Sequence, residues 1–268
     1  MGDILNIRNL TAYIRKSRNG VGPGWPVDDL LYIRLPVLAI RNYFSECATS
    51  NNWTLTWQKG RDMRMAFRIA GAILGQWQAF RPNPPEKLLR RLEKSFPGTA
   101  LQFQRRILTH TKIKGIFAVK HGGDECNRLL IEMGKAIAAI SREKGVPNPM
   151  LGSKLLNFFF PEFFPVWDTG WVKKKALKHY KGISLPQHVQ KQLQNITHSE
   201  AALEYAKYVY LMLIDLWSTR PSELRKLCRA CFQYCEKMGY YEPEVVIEDN
   251  YRDITPLLFE MCLLGKHC

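Results

Sequence analysis

The chain contains no apolar run of about 18 residues, the least that a membrane-spanning helix needs. A membrane partner is therefore not expected. Alternating apolar and polar residues are also scarce. Only Trp53–Lys59 (WTLTWQK) reads as a short extended piece, so the expected fold class is all-α. There is no internal repeat and no low-complexity tract, which sets aside a solenoid and a disordered chain. Acidic residues are few: 24 Asp and Glu stand against 39 Lys and Arg, giving a net charge of +15 and a pI near 9.6. That imbalance disfavours a basic partner and points to a polyanion, most often nucleic acid. The plain alternative is a charge excess that serves solubility alone. The opening residues, MGDILNIRNL, lack a signal-peptide pattern, and the seven cysteines are odd in number and unevenly spaced. The expectation is a reduced cytoplasmic protein.

What is present is a good supply of core material. Hydrophobic residues make up 46% of 268, enough for one large helical domain or two lobes. Residues 1–26 are polar and basic and end in Gly22-Pro23-Gly24-Trp25-Pro26, which reads as an arm that packs late. Leu30 to Phe44 carry a helical apolar face interrupted by Pro36. Gly60 opens a strong helix with Arg61, Arg64 and Arg68 on its basic face, ended by Arg81-Pro82-Asn83-Pro84-Pro85. Glu86–Phe96, Thr99–Leu108 and Lys112–Lys120 are expected as three further short helices. Asp124 is placed to cap a helix that closes on Gly145. Another helix starts after Leu185-Pro186. Thr197 to Glu200 has capping-box spacing ahead of a strongly apolar helix. Arg220-Pro221 restarts the chain, and a last apolar helix spans Leu257 to Leu264. The organisation expected is an N-terminal helical region (1–120) forming one wall, a central segment (121–182), and C-terminal helices (183–268) in one continuous unit.

Chemistry concentrates in residues 145–181. A Pro-rich turn, Pro147-Asn148-Pro149-Met150-Leu151, leads to Gly152-Ser153-Lys154 and a short apolar helix. An aromatic segment then ends in Pro165-Val166-Trp167-Asp168-Thr169, and Lys173, Lys174, Lys175, Lys178 and Lys181 follow with no acid among them. A lone carboxylate on an apolar shelf beside dense positive charge suits a cation formed at a sugar on a phosphate backbone. The plain reading of Asp168 is an N-cap for the helix after it, and that of the lysines a solvated face.

This pattern resembles the helix-hairpin-helix superfamily of DNA glycosylases. Their hairpin ends in Gly-x-Lys and is followed by a helix, an apolar segment and Val-Asp-Thr. Here Gly152-Ser153-Lys154 matches Gly-x-Lys, and Val166-Trp167-Asp168-Thr169 matches Val-Asp-Thr with one extra residue. The resemblance covers residues 124–180. It implies two helical lobes with a cleft between them, a hairpin whose backbone N–H groups hold DNA phosphates, and a nucleotide flipped into the cleft.

On that resemblance Asp168 is the catalytic acid, stabilising positive charge on the deoxyribose and orienting water. Lys154 matches the lysine that bifunctional members use as an amine nucleophile, and it reads equally as a phosphate clamp. The default is a monofunctional enzyme that leaves an abasic site. Asn148, Met150, Gly152, Ser153, Lys173, Lys174, Lys175 and Lys178 are the expected DNA contacts. Trp167, Trp171, Trp53 and Trp57 are the candidate walls of a base pocket. Some relatives hold an iron–sulfur cluster through four cysteines. The spacing of Cys228, Cys231, Cys235, Cys262 and Cys268 does not fit theirs, so no metal and no cofactor is expected. The reading is a monomeric DNA N-glycosylase acting on double-stranded DNA. Its substrate is a modified base, with a glucosylated hydroxymethylcytosine of phage DNA as one candidate and oxidised or alkylated bases as the other. The rival from a different class is a non-catalytic helical nucleic-acid-binding protein.

Overall fold

The computed structural model describes residues 3–18, 61–76, 79–109, 113, 115–237 and 255–267. The helical face expected at Leu30–Phe44 and the extended piece at Trp53–Lys59 lie outside these residues. Among the described residues the secondary structure is entirely helical, as the all-α expectation requires. No described helix is long and apolar enough to cross a membrane.

Residues 3–18 of the expected N-terminal arm are docked on the fold. Ile7–Arg18 form a helix, α1, and Ile4, Leu5, Leu10 and Tyr13 are buried. The anchor is a side chain some 210 residues away. Asp215 is buried, and its two carboxylate oxygens accept the backbone N–H groups of Ile4 (3.0 Å) and Leu5 (2.6 Å). Burial pushes the Asp215 carboxyl above its ordinary pKa, and the two backbone N–H groups oppose that shift.

α2 spans Arg61–Gln76 and starts where the sequence places it. It crosses α3 (Pro85–Gln104) at Gly71, where an added Cβ would sit 2.6 Å from a Leu89 methyl. α3 corrects an expectation. Two helices parted near Pro97 are in fact one, and a π-helical turn, Arg105–Thr109, continues it. Pro97 removes one backbone donor, yet Leu92, Phe96, Ala100 and Phe103 on either side of it are buried. Phe96 lies 4.5 Å from Phe159 between ring centroids, and Phe103 packs on Phe160, Phe163 and Phe164. This aromatic packing outweighs the local break. Of the helix expected at Lys112–Lys120, only a 3₁₀ turn, Ile116–Ala118, is present among the described residues.

α4, Asp124–Lys144, is the axis of the fold. It packs against α3, α5 (Pro149–Phe159), α6 (Gln187–Gln194) and α7 (Ser199–Ser218). Its N-cap is Gly123 rather than Asp124, which falls in the first turn, where an acid favours the helix dipole. Its C-cap is Gly145, left-handed at φ 75°, as the sequence suggests. The capping-box expectation before α7 fails. His198 is the N-cap, in a left-handed conformation at φ 59° and without a side-chain cap bond. α8 (Pro221–Lys237) and α9 (Thr255–His267) begin and lie as expected. Cys228 and Cys231 on α8 and Cys262 on α9 are buried, as thiols on an inward face should be. The buried apolar side chains form one contiguous cluster running from Ile4 to Leu264.

Candidate functional site

The residues expected to build the site begin where α4 ends. Gly145 turns the chain, and Val146, Pro147 and Asn148 lead directly into α5, whose first residue is Pro149. Asn148 is the N-cap: its Oδ1 accepts the Met150 N–H at 2.8 Å. Ser141 on α4 donates its hydroxyl to the Asn148 carbonyl at 3.1 Å, which fixes the loop against the helix it leaves.

This early start of α5 relocates the Gly-Ser-Lys triplet. The resemblance places it at the end of an exposed hairpin, but here it lies inside the helix and all three residues are buried. At Gly152 an added Cβ would approach Ile137 Cδ1 to 3.0 Å, so the glycine lets α5 sit close on α4. Ser153 is fully buried; its hydroxyl donates to the Met150 carbonyl and accepts the Trp167 N–H at 2.9 Å. Neither residue has a surface with which to touch a phosphate, and both assignments as DNA contacts are corrected on that ground. Lys154 is 2% exposed and belongs to the core. A nucleophile must reach the sugar, and this side chain has no open face toward one. Met150 stays half-buried, and its N–H is already taken by the Asn148 cap.

Asp168 lies at the start of the π-helical segment Thr169–Ala176 and is half-buried. Its backbone is extended, with φ −125° and ψ 128°. Oδ1 accepts the Trp171 N–H at 2.8 Å, so the residue is the N-cap that its type suggests. Oδ2 takes no hydrogen bond from the described residues. The Asn148 side-chain amide donates to Thr169 Oγ1 at 3.2 Å, tying the α5 turn to the residue beside the acid. The turn after α4 and the acid are thus neighbours, although 20 residues separate Asn148 from Asp168.

The lysines divide in two. Lys173 forms an ion pair with Glu204 on α7, so an acid absent from its own segment reaches it from another. Lys174, Lys175 and Lys178 are exposed, and the Lys175 ammonium lies 3.7 Å above the Trp171 ring. Trp171 is half-buried beside Asp168. Trp167 is not available as a pocket wall: it is 1% exposed and meets Tyr208 edge-on at 5.6 Å. Its aromatic neighbours and the bond to Ser153 hold it in the core. Trp53 and Trp57 lie outside the described residues.

Lys144, at the end of α4, is a residue that sequence reading passes over. It is 4% exposed, and its ammonium donates to the Ala79 carbonyl at 2.7 Å. The Asn83 amide returns a bond to the Lys144 carbonyl at 2.6 Å, so the segment between α2 and α3 is clamped to the end of α4. Burial, and then the charge of Lys154, lower the Lys144 pKa to about 8. A lysine in a last helical turn normally reads as a solvated cation facing the dipole. Only tertiary contact reveals otherwise.

Among the described residues no group of three or more His, Cys, Asp or Glu side chains is placed to hold a metal ion. No protein-family model, no curated protein and no solved structure matches the chain.

Proposed function

We propose that the chain is a DNA N-glycosylase in which Asp168 stabilises the sugar cation formed as a flipped base departs. One observation carries the reading. Asp168 has one carboxylate oxygen fixed by the Trp171 N–H and the other unengaged among the described residues, beside a turn joined to it through Asn148 and Thr169. Exposed Lys174, Lys175 and Lys178 follow within ten residues, where phosphates on either side of a target nucleotide would find counter-charge. In this proposal α4, the Gly145–Asn148 turn and α5 serve as the helix-hairpin-helix, and the flipped nucleotide is received in a cleft at Asp168.

The bond from C1′ to the base nitrogen breaks, and its electron pair leaves with the base. Asp168 faces the positive charge left on the deoxyribose and orients a water onto C1′. Water supplies hydroxide to the sugar and a proton to the base, so the products are the free base and an abasic site. The enzyme works without a covalent amine intermediate, because the matching lysine, Lys154, lies in the core. Its substrate is a modified base: a glucosylated hydroxymethylcytosine of phage DNA, with antiviral defence as the role, is one candidate, and an oxidised or alkylated base, with repair as the role, is the other.

The cap bond to Trp171 also supports a second reading, a helical DNA-binding protein in which Asp168 is structural. Incubating the chain with phage and bacterial genomic DNAs, followed by mass spectrometry of small products, separates the two. Release of a free base supports the enzyme. If no base is released from any DNA that the protein binds, the binding reading stands in its place.

A further inference from the structure

A groove of about 310 Å³ lies at the other end of α4 from Asp168. Ile131, in its floor, and Ser141, beside the Asn148 turn, are ten residues apart on one helix, or roughly 15 Å. One wall is α6, which approaches closely because position 134 is glycine. A Cβ there would meet both Leu193 methyls at 2.9 Å. The other wall is the π-helical turn Arg105–Thr109, an irregularity frequent at functional sites.

The charges in the groove are arranged around one buried acid. Glu132 is 5% exposed, and its Oε1 accepts from Arg106 Nη1 at 2.9 Å and Lys135 Nζ at 3.0 Å. The carboxylate is therefore neutralised inside the wall. Both cationic side chains remain partly exposed, 47% for Arg106 and 30% for Lys135. Glu132 engages one of five guanidinium N–H groups and one of three ammonium N–H groups. Arg128 and the amides of Asn127 and Gln192 add donors around the same volume. Counting Arg106, Arg128 and Lys135 against Asp124 and Glu132 gives 3 − 2 = +1.

We propose that this groove binds a phosphoryl group, seated between Arg106, Lys135 and Arg128 with the two amides completing its donors. A tetrahedral oxyanion takes hydrogen bonds from several directions at once, and fixed cations reduce the entropy lost on binding. Glu132 does the fixing. The proposal stands independently of the glycosylase reading, because Asp168 and its lysines lie at the far end of α4.

The test is calorimetric titration of the full chain with inorganic pyrophosphate, alone and with a short duplex DNA present. Binding is expected, and Arg128→Gln should weaken it about tenfold through loss of a charge-assisted contact. Arg106→Gln should do the same; should it compromise folding by leaving Glu132 short of a partner, Arg128→Gln, outside that ion pair, carries the test. Lys226→Gln, on α8 and outside both the groove and the Asp168 region, should leave the affinity unchanged. If DNA displaces pyrophosphate, the groove takes backbone phosphates; if both bind together, it takes a free phosphorylated ligand. Either outcome supports the site. Absence of pyrophosphate binding at millimolar concentration, or equal affinity in wild type and Arg128→Gln, overturns it.

Discussion

Gly265 on α9 offers a sharp test of how the N-terminal helix is held. An alanine Cβ at this position would lie 1.9 Å from the Asn9 carbonyl oxygen, and 2.9 Å from both the Asn9 carbonyl carbon and the Tyr13 nitrogen. All three are backbone atoms of α1, so no rotamer change relieves the clash. Side-chain Cβ atoms essentially never approach heavy atoms to under 3.0 Å, so the helices must part by at least 3.0 − 1.9 = 1.1 Å. A gap of that size forfeits a large fraction of the dispersion energy across the interface. Leu10, Tyr13, Met261 and Leu264 are the buried side chains affected. The bond from Lys16 Nζ to the Gly265 carbonyl, 3.1 Å, also stretches. We expect Gly265→Ala to cost about 3 kcal/mol, the upper end for overpacking, because backbone yields less than side chains. In a domain of this size that lowers Tm by roughly 5 °C. Gly98→Ala is the matched control. It makes the same chemical change inside α3 with nothing within 4 Å of the new Cβ, and helix propensity predicts a gain of about 0.5–1 kcal/mol. Urea unfolding of the three proteins decides the matter. If Gly265→Ala unfolds within about 0.5 kcal/mol of wild type, the α1–α9 contact is not as described here.

Asp215→Ala should destabilise by roughly 3 kcal/mol, since it leaves the buried N–H groups of Ile4 and Leu5 without acceptors; denaturant unfolding with near-native stability would count against the anchor. For Lys144 the sign follows from its lowered pKa of about 8 against an ordinary 10.5. Between those values the unfolded chain binds more protons, so this residue's contribution to stability rises with pH. The stability difference between wild type and Lys144→Met should therefore increase from pH 8 toward pH 9.5, and a difference flat across that window would show that the ammonium is solvated. Borohydride treatment during reaction with substrate DNA should trap no covalent adduct, because Lys154 is 2% exposed; an adduct that disappears in Lys154→Met would place that amine at the sugar.

Sequence and structure agree where the signal is local. Gly145 closes α4 because a left-handed C-cap favours glycine, and α2, α8 and α9 follow from their periodicity and flanking residues. They part where distant contacts decide. α1 has few apolar residues, and its anchor, Asp215, is remote in the chain. Pro97 is a local stop that aromatic packing overrides. The largest departure is the Gly-Ser-Lys triplet. The family pattern draws the eye to Gly152, but Asn148-Pro149 is itself a helix start, an N-cap followed by proline at the first position. Given that start, Ser153 and Lys154 turn inward. Asp168 was legible as a helix cap, because that role depends on the residues next to it. The groove beside Glu132 was not, since it joins Arg106, Glu132 and His188 from three separate elements.

The central proposal is that Asp168 acts on the sugar of a bound nucleotide. Asp168→Asn keeps an oxygen for the Trp171 N–H and removes the charge, so the fold and the DNA affinity should survive. On a DNA from which the wild type releases a base, the rate of abasic-site formation should fall by roughly a hundredfold or more while binding is retained. Base release at the wild-type rate by Asp168→Asn would contradict the account.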